Sequence, residues 1–254
     1  MRKIALKIEY DGTSFSGWQM QPEERTVQEC LERAVKKATN SSNRVVIHGA
    51  GRTDAGVHAE GQVAHFSTDS SIKQENFKHA INYWLSNDVA VIDSQEASPD
   101  FHARFSSTSK IYIYRILLSD TIRPLRDRYC YRHPPNLNLD NLNTMARKII
   151  GEHDFTSFTN ADAEVEDRVR TIYESEWHKM NDELRYRVRG NGFTYNMIRI
   201  LVGTMCEIAA KGKPADVFDD ITDARDRCAA GPTAPARGLI LARIEYPPEV
   251  NPFQ

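Results

Sequence analysis

Cysteine is scarce in this chain: Cys30, Cys130, Cys206 and Cys228 are the four in 254 residues, far apart and without a CxxC pair. That spacing excludes a disulfide-built scaffold, and the thiols read as reduced and mostly buried. No apolar run approaches membrane-spanning length, and the opening MRKIALKIEY has no apolar leader segment. The expectation is a soluble, cytoplasmic protein with no membrane partner. Net charge is slight, −2 at pH 7, so a polyanionic partner has to be met by a local patch. Common cofactor and hydrolase signatures are missing as well. GAGRTD places Asp54 where a dinucleotide fingerprint has its third glycine. Lys211-Gly-Lys-Pro214 lacks the hydroxyl residue and upstream glycine of a phosphate loop. No GxSxG elbow occurs, and the eight histidines form neither HExxH nor a Cys/His cluster. Nucleotide cofactor, serine hydrolase and metal readings all lose support.

What is present is an ordinary globular composition, 40% hydrophobic and 27% charged, which predicts folding throughout. Ile4, Leu6, Ile8 and Tyr10 alternate with Lys3, Lys7 and Glu9, a strand ended by the Asp11-Gly12 turn. Thr26-Val-Gln-Glu29 is a capping box, with Val27, Leu31, Val35 and Ala38 at helical spacing behind it. Residues 44–48 and 62–67 read as strands around a glycine-rich loop. Phe77, Ala80, Ile81, Trp84 and Leu85 predict a second helix before an extended stretch at 89–97. The later half predicts a central strand at 110–118 with apolar residues on both faces, a helix at 142–150, and strands at 170–179 and 184–190. A long helix at 195–211, a short one at 221–230 and a final strand at 239–246 follow. This order predicts an α+β fold of two similar α/β modules, residues 1–104 and 105–254, with mostly antiparallel sheets and a shared interface.

The stretch HGAGRTDAGVH, residues 48–58, sets three glycines around Asp54 with Arg52 two residues before it. An Asx-turn explains Asp beside Gly, whereas the arginine suits contact with phosphate or a displaced base. Asp54 is thus either a turn residue or a reagent. Between His102 and His133, Arg104, Lys110, Arg115, Arg123, Arg126, Arg128 and Arg132 stand against Asp120 and Asp127, a candidate phosphate track. Arg185, Arg187 and Arg189 share one strand face, which reads as a solvated face slightly ahead of an RNA contact. Tyr112 and Tyr114 share a strand face where core tyrosines are the common case. Arg199, among Met197, Ile198, Leu201 and Val202, either snorkels to water or meets a buried carboxylate.

Several motifs in order, IEYDGTSFSGWQ, GAGRTDAGVHAEGQVAHF, FHARFSSTSKIYIYRI, GEHDFTSF, VRTI, GFTYNMIRILVGT and ARGLILARIEYP, run through nearly the whole chain. Together they resemble the tRNA pseudouridine synthase A family. The resemblance implies the pseudouridine synthase fold with a central cleft between its halves. It implies isomerisation of uridine to pseudouridine in the anticodon arm of tRNA, at positions 38, 39 and 40, with no cofactor or metal, by a homodimer that shares one tRNA. Residue by residue, Asp54 matches the catalytic aspartate, Arg199 its basic partner, Tyr112 the tyrosine packed on the target base, Leu239 an apolar pocket residue, and Arg52 the base-flipping arginine. Glu60 and Ser86 depart from the pattern, in loops away from that set. A tRNA-binding or chaperone-like module without catalysis, and a synthase acting on other RNAs, are the competing readings.

Overall fold

The computed structural model describes residues 1–161 and 167–253. It has an α+β fold with mostly antiparallel sheets, and the chain divides into two compact units, Met1–Lys110 with Leu241–Gln254, and Ile111–Ile240.

In the first unit, β1 (Arg2–Tyr10) is followed by α1 (Val27–Ala38), β2 (His48–Gly49), β3 (His58–Thr68), α2 (Phe77–Asn82) and β4 (Val89–Ala97). The strands order as β4-β1-β3, with β2 on β3 and all these pairs antiparallel. The alternation of β1 buries Ile4, Leu6, Ile8 and Tyr10 and leaves Lys7 and Glu9 exposed. Thr26 caps α1, its side chain accepting from the Glu29 amide, and Val27, Leu31 and Val35 line the buried face.

The second unit contains β5 from Ile111 onward (Ser109–Leu118), α3 (Pro124–Asp127), β6 (Tyr131–His133), α4 (Leu139–Lys148), β7 (Gly151–Asp154), β8 (Val169–Met180), β9 (Glu183–Gly190), α5 (Met197–Ala210) and α6 (Val217–Ala224). Its strands run β5-β9-β8-β7, with β6 parallel to β5. α4 packs on β8 and α5. β5 buries Tyr112, Tyr114, Ile116 and Leu117, as its two apolar faces predict. A last strand, β10 (Leu239–Glu245), starts in this unit and ends in the first.

Three elements differ from the sequence expectation, each for a local reason. Residues 44–48 form no strand before His48. There, side chains of α1 bind what a ladder would have bound: Glu32 accepts from the Ile47 amide at 3.2 Å and pairs with Arg44 at 2.6 Å, while Gln28 donates to the Ile47 carbonyl at 3.1 Å. α2 stops at Asn82, before Trp84 and Leu85, because the Asn82 amide bonds the Val91 backbone in both directions, at 2.9 and 2.8 Å. α6 begins at Val217, earlier than expected, and ends at Arg225, whose left-handed φ of 49° breaks the helix before a short 3₁₀ turn at Arg227–Ala229.

Candidate active site

The Asp54 loop is held from both sides by the segment after β1. The Trp18 amide donates to the Thr53 carbonyl at 3.0 Å, and the Gly56 amide to the Phe15 carbonyl at 3.2 Å. The Val57 amide closes a turn on the Asp54 carbonyl at 3.1 Å, with Gly56 at φ 78°, a left-handed value suited to glycine. Beneath the loop, the buried hydroxyls of Tyr10 and Thr53 lie 2.8 Å apart. Gln62 donates to the Gly51 carbonyl at 2.9 Å and also bonds the Tyr10 phenol. Burial pushes that phenol above its ordinary range, so it stays a neutral hydrogen-bonding group.

Upon this base Asp54 is half-buried and Arg52 exposed. Gly49 serves packing, since a Cβ there would fall 2.5 Å from the Trp18 ring. Gly51 has the Lys110 ammonium beside it, 3.6 Å from where its own Cβ would stand. Tyr10, Trp18, Gln62 and this placement of Lys110 were not legible as parts of the loop's support, because their partners are remote in sequence.

In the second unit, Arg199 lies on α5 and is half-buried. Its Nε donates to the Ala234 carbonyl at 2.8 Å, its Nη1 to Asn196 Oδ1 at 2.7 Å, and its own carbonyl accepts from the Ala234 amide at 3.0 Å. Asn196 caps α5 in the left-handed region, φ 61°. Tyr114 holds the same 234–238 segment, its hydroxyl donating to the Pro235 carbonyl at 2.7 Å. Only glycine fits at 238, where a Cβ would meet the Tyr114 ring at 2.7 Å. Leu239, buried, follows directly. Arg199 and Tyr114 therefore fix the chain that delivers Leu239. Tyr112 is buried with its ring edge-on to Phe193, centroids 5.3 Å apart. Phe193 and Asn196 carry no signal in the sequence beyond lying in GFTYN.

Two members of the basic run, Arg115 and Arg126, are taken up by carboxylates. Buried Glu183 takes Arg115 at 2.8 Å, Arg126 at 2.8 Å and Arg185 at 2.6 Å, and Asp182 takes Arg126 again at 2.7 Å. Burial raises the Glu183 carboxyl, but the arginines prevail and bring it to about 2. Arg187 and Arg189 both pair with Glu174 across the β8–β9 ladder. Within the run, Arg104 stays exposed beside Phe105. Among the described residues, no group of three His, Cys, Asp or Glu is placed to hold a metal ion. Nor is any helix there long and apolar enough to cross a membrane.

The family model described as tRNA pseudouridine synthase matches residues 7–106 and 145–247, and the chain belongs to that family. Among individual relatives, a tRNA pseudouridine synthase A of Geobacillus kaustophilus is 45% identical over 249 residues, 98% of this chain and 96% of that protein. The tRNA pseudouridine synthase A of Anoxybacillus flavithermus is 44% identical, over 97% of this chain and 99% of its own. The protein of that name from Bacillus subtilis is 42% identical, over 96% and 99%.

Proposed function

We propose that this chain isomerises uridine to pseudouridine in tRNA, at positions 38, 39 and 40 of the anticodon arm, with Asp54 as the reagent and without a cofactor. Membership of the synthase family along both halves carries the reading. The doubly tethered loop beneath Asp54 supports it, because an aspartate serving only to turn the chain has no need of such bracing.

The reaction breaks the N1–C1′ bond, rotates the uracil and forms C5–C1′. N1 gains a proton, and the C5 proton leaves to solvent. The base must first leave its stack, and exposed Arg52 is assigned to brace the vacated space. The Asp54 carboxylate acts either as nucleophile at C1′ or as base at C2′. Tyr112 packs on the uracil, Leu239 keeps water from the base, and Arg199 is the second catalytic group. The protein works as a cytoplasmic homodimer on one tRNA at a time.

The test is tritium release from unmodified tRNA carrying C5-tritiated uridine, in EDTA, comparing wild type with Asp54→Asn. Release by wild type alone is the expected result, with tRNA binding retained by the variant. Release by a clean Asp54→Asn preparation overturns the assignment of Asp54. Binding of tRNA without release by either protein identifies a non-catalytic RNA-binding module instead. Modification mapping on total RNA then checks the positions.

A further inference from the structure

An aromatic column in the first unit has no part in the site described above. His48 and His65 stack at 5.1 Å with 24° between planes, and His102 meets His65 at 4.7 Å. Phe105 caps the column on His102, 4.4 Å away and tilted 34°. The inner ring, His65, is buried, while Phe105 at the tip is 76% exposed and His48 is exposed as well. The groups holding the Asp54 loop, Tyr10, Phe15, Trp18 and Gln62, form a different set.

Hydrogen bonds brace the turn carrying Phe105. His102 Nδ1 accepts from the amides of Arg104 at 3.2 Å and Phe105 at 3.4 Å. Ser106 Oγ accepts from the His102 amide at 3.0 Å, and the Ser106 amide returns to the His102 carbonyl at 2.9 Å. Single exposed apolar side chains are ordinary on protein surfaces. This one differs in being pinned by its backbone, backed by aromatic rings and accompanied by positive charge. The Arg104 guanidinium lies 5.7 Å from its ring centroid, and Lys3, held by the Pro99 and Phe101 carbonyls, adds a second cation near His65 and His102. A flat ring offered at little entropic cost beside a guanidinium matches an unpaired nucleobase with its phosphate.

We infer that Phe105 and Arg104 form a second tRNA contact, Phe105 stacking on an unpaired base other than the isomerised uridine and Arg104 meeting its phosphate. This rests on the proposed function, which supplies the RNA.

The experiment measures the Kd of an unmodified tRNA transcript over a series of salt concentrations, for wild type and for Phe105→Ala, Phe105→Trp and Arg104→Ala. Circular dichroism establishes that each variant is folded, and sedimentation reports oligomeric state. Phe105→Ala weakens binding about tenfold, within the range for removing one stacked base. Phe105→Trp binds as wild type does, and its added fluorescence is quenched by tRNA. Arg104→Ala lowers the salt slope by about one. Equal affinity of wild type and Phe105→Ala, or a Phe105→Trp fluorescence blind to tRNA, overturns this inference alone. A Phe105→Ala effect on oligomeric state with unchanged Kd overturns it in favour of a protein contact. Failure of wild type to bind tRNA overturns the proposed function and this inference together.

Discussion

The pair beneath the Asp54 loop gives a sharp test of whether that loop needs its bracing. Thr53→Val keeps the side-chain shape and deletes the hydroxyl that lies 2.8 Å from the Tyr10 phenol, both residues being buried. A buried hydroxyl stripped of a partner costs about 1–3 kcal/mol. Gln62 also bonds the Tyr10 phenol, so the loss belongs at the low end, about 1 kcal/mol. For a chain of this size that lowers Tm by roughly 2–4 °C. Tyr10→Phe strands the Thr53 hydroxyl instead and costs about 1–3 kcal/mol. The double variant removes both polar groups and is expected to lose clearly less than the two singles combined, a coupling of about 1 kcal/mol. Activity tells the other half. A loss of that size leaves nearly all molecules folded at 25 °C, yet displacement of the backbone next to Asp54 by under an ångström is expected to slow single-turnover tritium release about tenfold. Denaturant unfolding and tritium release on the same four proteins check both. Additive stabilities, or a Thr53→Val enzyme as fast as wild type, would refute the claim that this hydrogen bond positions the loop.

The remaining predictions concern charge. Arg199→Lys keeps the positive charge but cannot reproduce the fork that binds Ala234 and Asn196. Turnover is expected to fall at least tenfold with the fold retained, and a fully active lysine variant counts against the role of the fork. Glu183→Gln leaves Arg115, Arg126 and Arg185 crowded around a neutral side chain. It is expected to destabilise by about 2–3 kcal/mol, below the usual cost of breaking a buried pair because the arginines reach solvent. Its check is the denaturation midpoint, which should fall. His65 should make the protein acid-sensitive. Burial first, then the neighbouring His102, His48 and Lys3, lower it to about 3, and its Nδ1 accepts from the Ala103 amide at 3.1 Å. The unfolded chain takes up the proton near pH 6.5 while the folded chain refuses it, so stability is full above pH 6.5 and falls as pH drops toward 3. At pH 5 the loss is about 2 kcal/mol. His65→Asn should flatten the difference between pH 7 and pH 5 in urea unfolding, and an equally steep variant rules this histidine out as the cause.

Elements with strict periodicity were legible in the sequence, and those ruled by side-chain capture were not. β1 follows from alternation alone, and β5 from its two apolar faces. The segment 44–47 has the β-branched composition of a strand, but Gln28 and Glu32 of α1 take its backbone groups. Nothing within that segment announces a partner some 15 residues away. The same holds at the site. HGAGRTDAGVH and its neighbours single out Asp54 and Arg52 as candidates by motif, whereas the support from Tyr10 and Gln62 is a tertiary fact. The histidine column is a still clearer case, since His48, His65 and His102 have no shared spacing in the sequence and meet only through the sheet and the turn after it.

Charge shows most plainly how sequence and structure divide the work. Read along the chain, Arg115 and Arg126 belong to a candidate phosphate track, and Arg185, Arg187 and Arg189 to a solvated strand face slightly ahead of an RNA contact. In the fold Glu183 and Asp182 take Arg115, Arg126 and Arg185, and Glu174 takes Arg187 and Arg189 once β8 and β9 pair. An arginine already bound to a carboxylate releases little counterion on meeting phosphate, because its charge is neutralised beforehand. On the proposed function, a chain with net charge −2 meets tRNA through exposed cations, Arg52 and Arg104 being the proposed contacts, and through shape and stacking. Such an interface suits an enzyme that has to admit a folded RNA, draw one base out of it and release it again, since affinity dominated by charge would hold right and wrong RNAs alike.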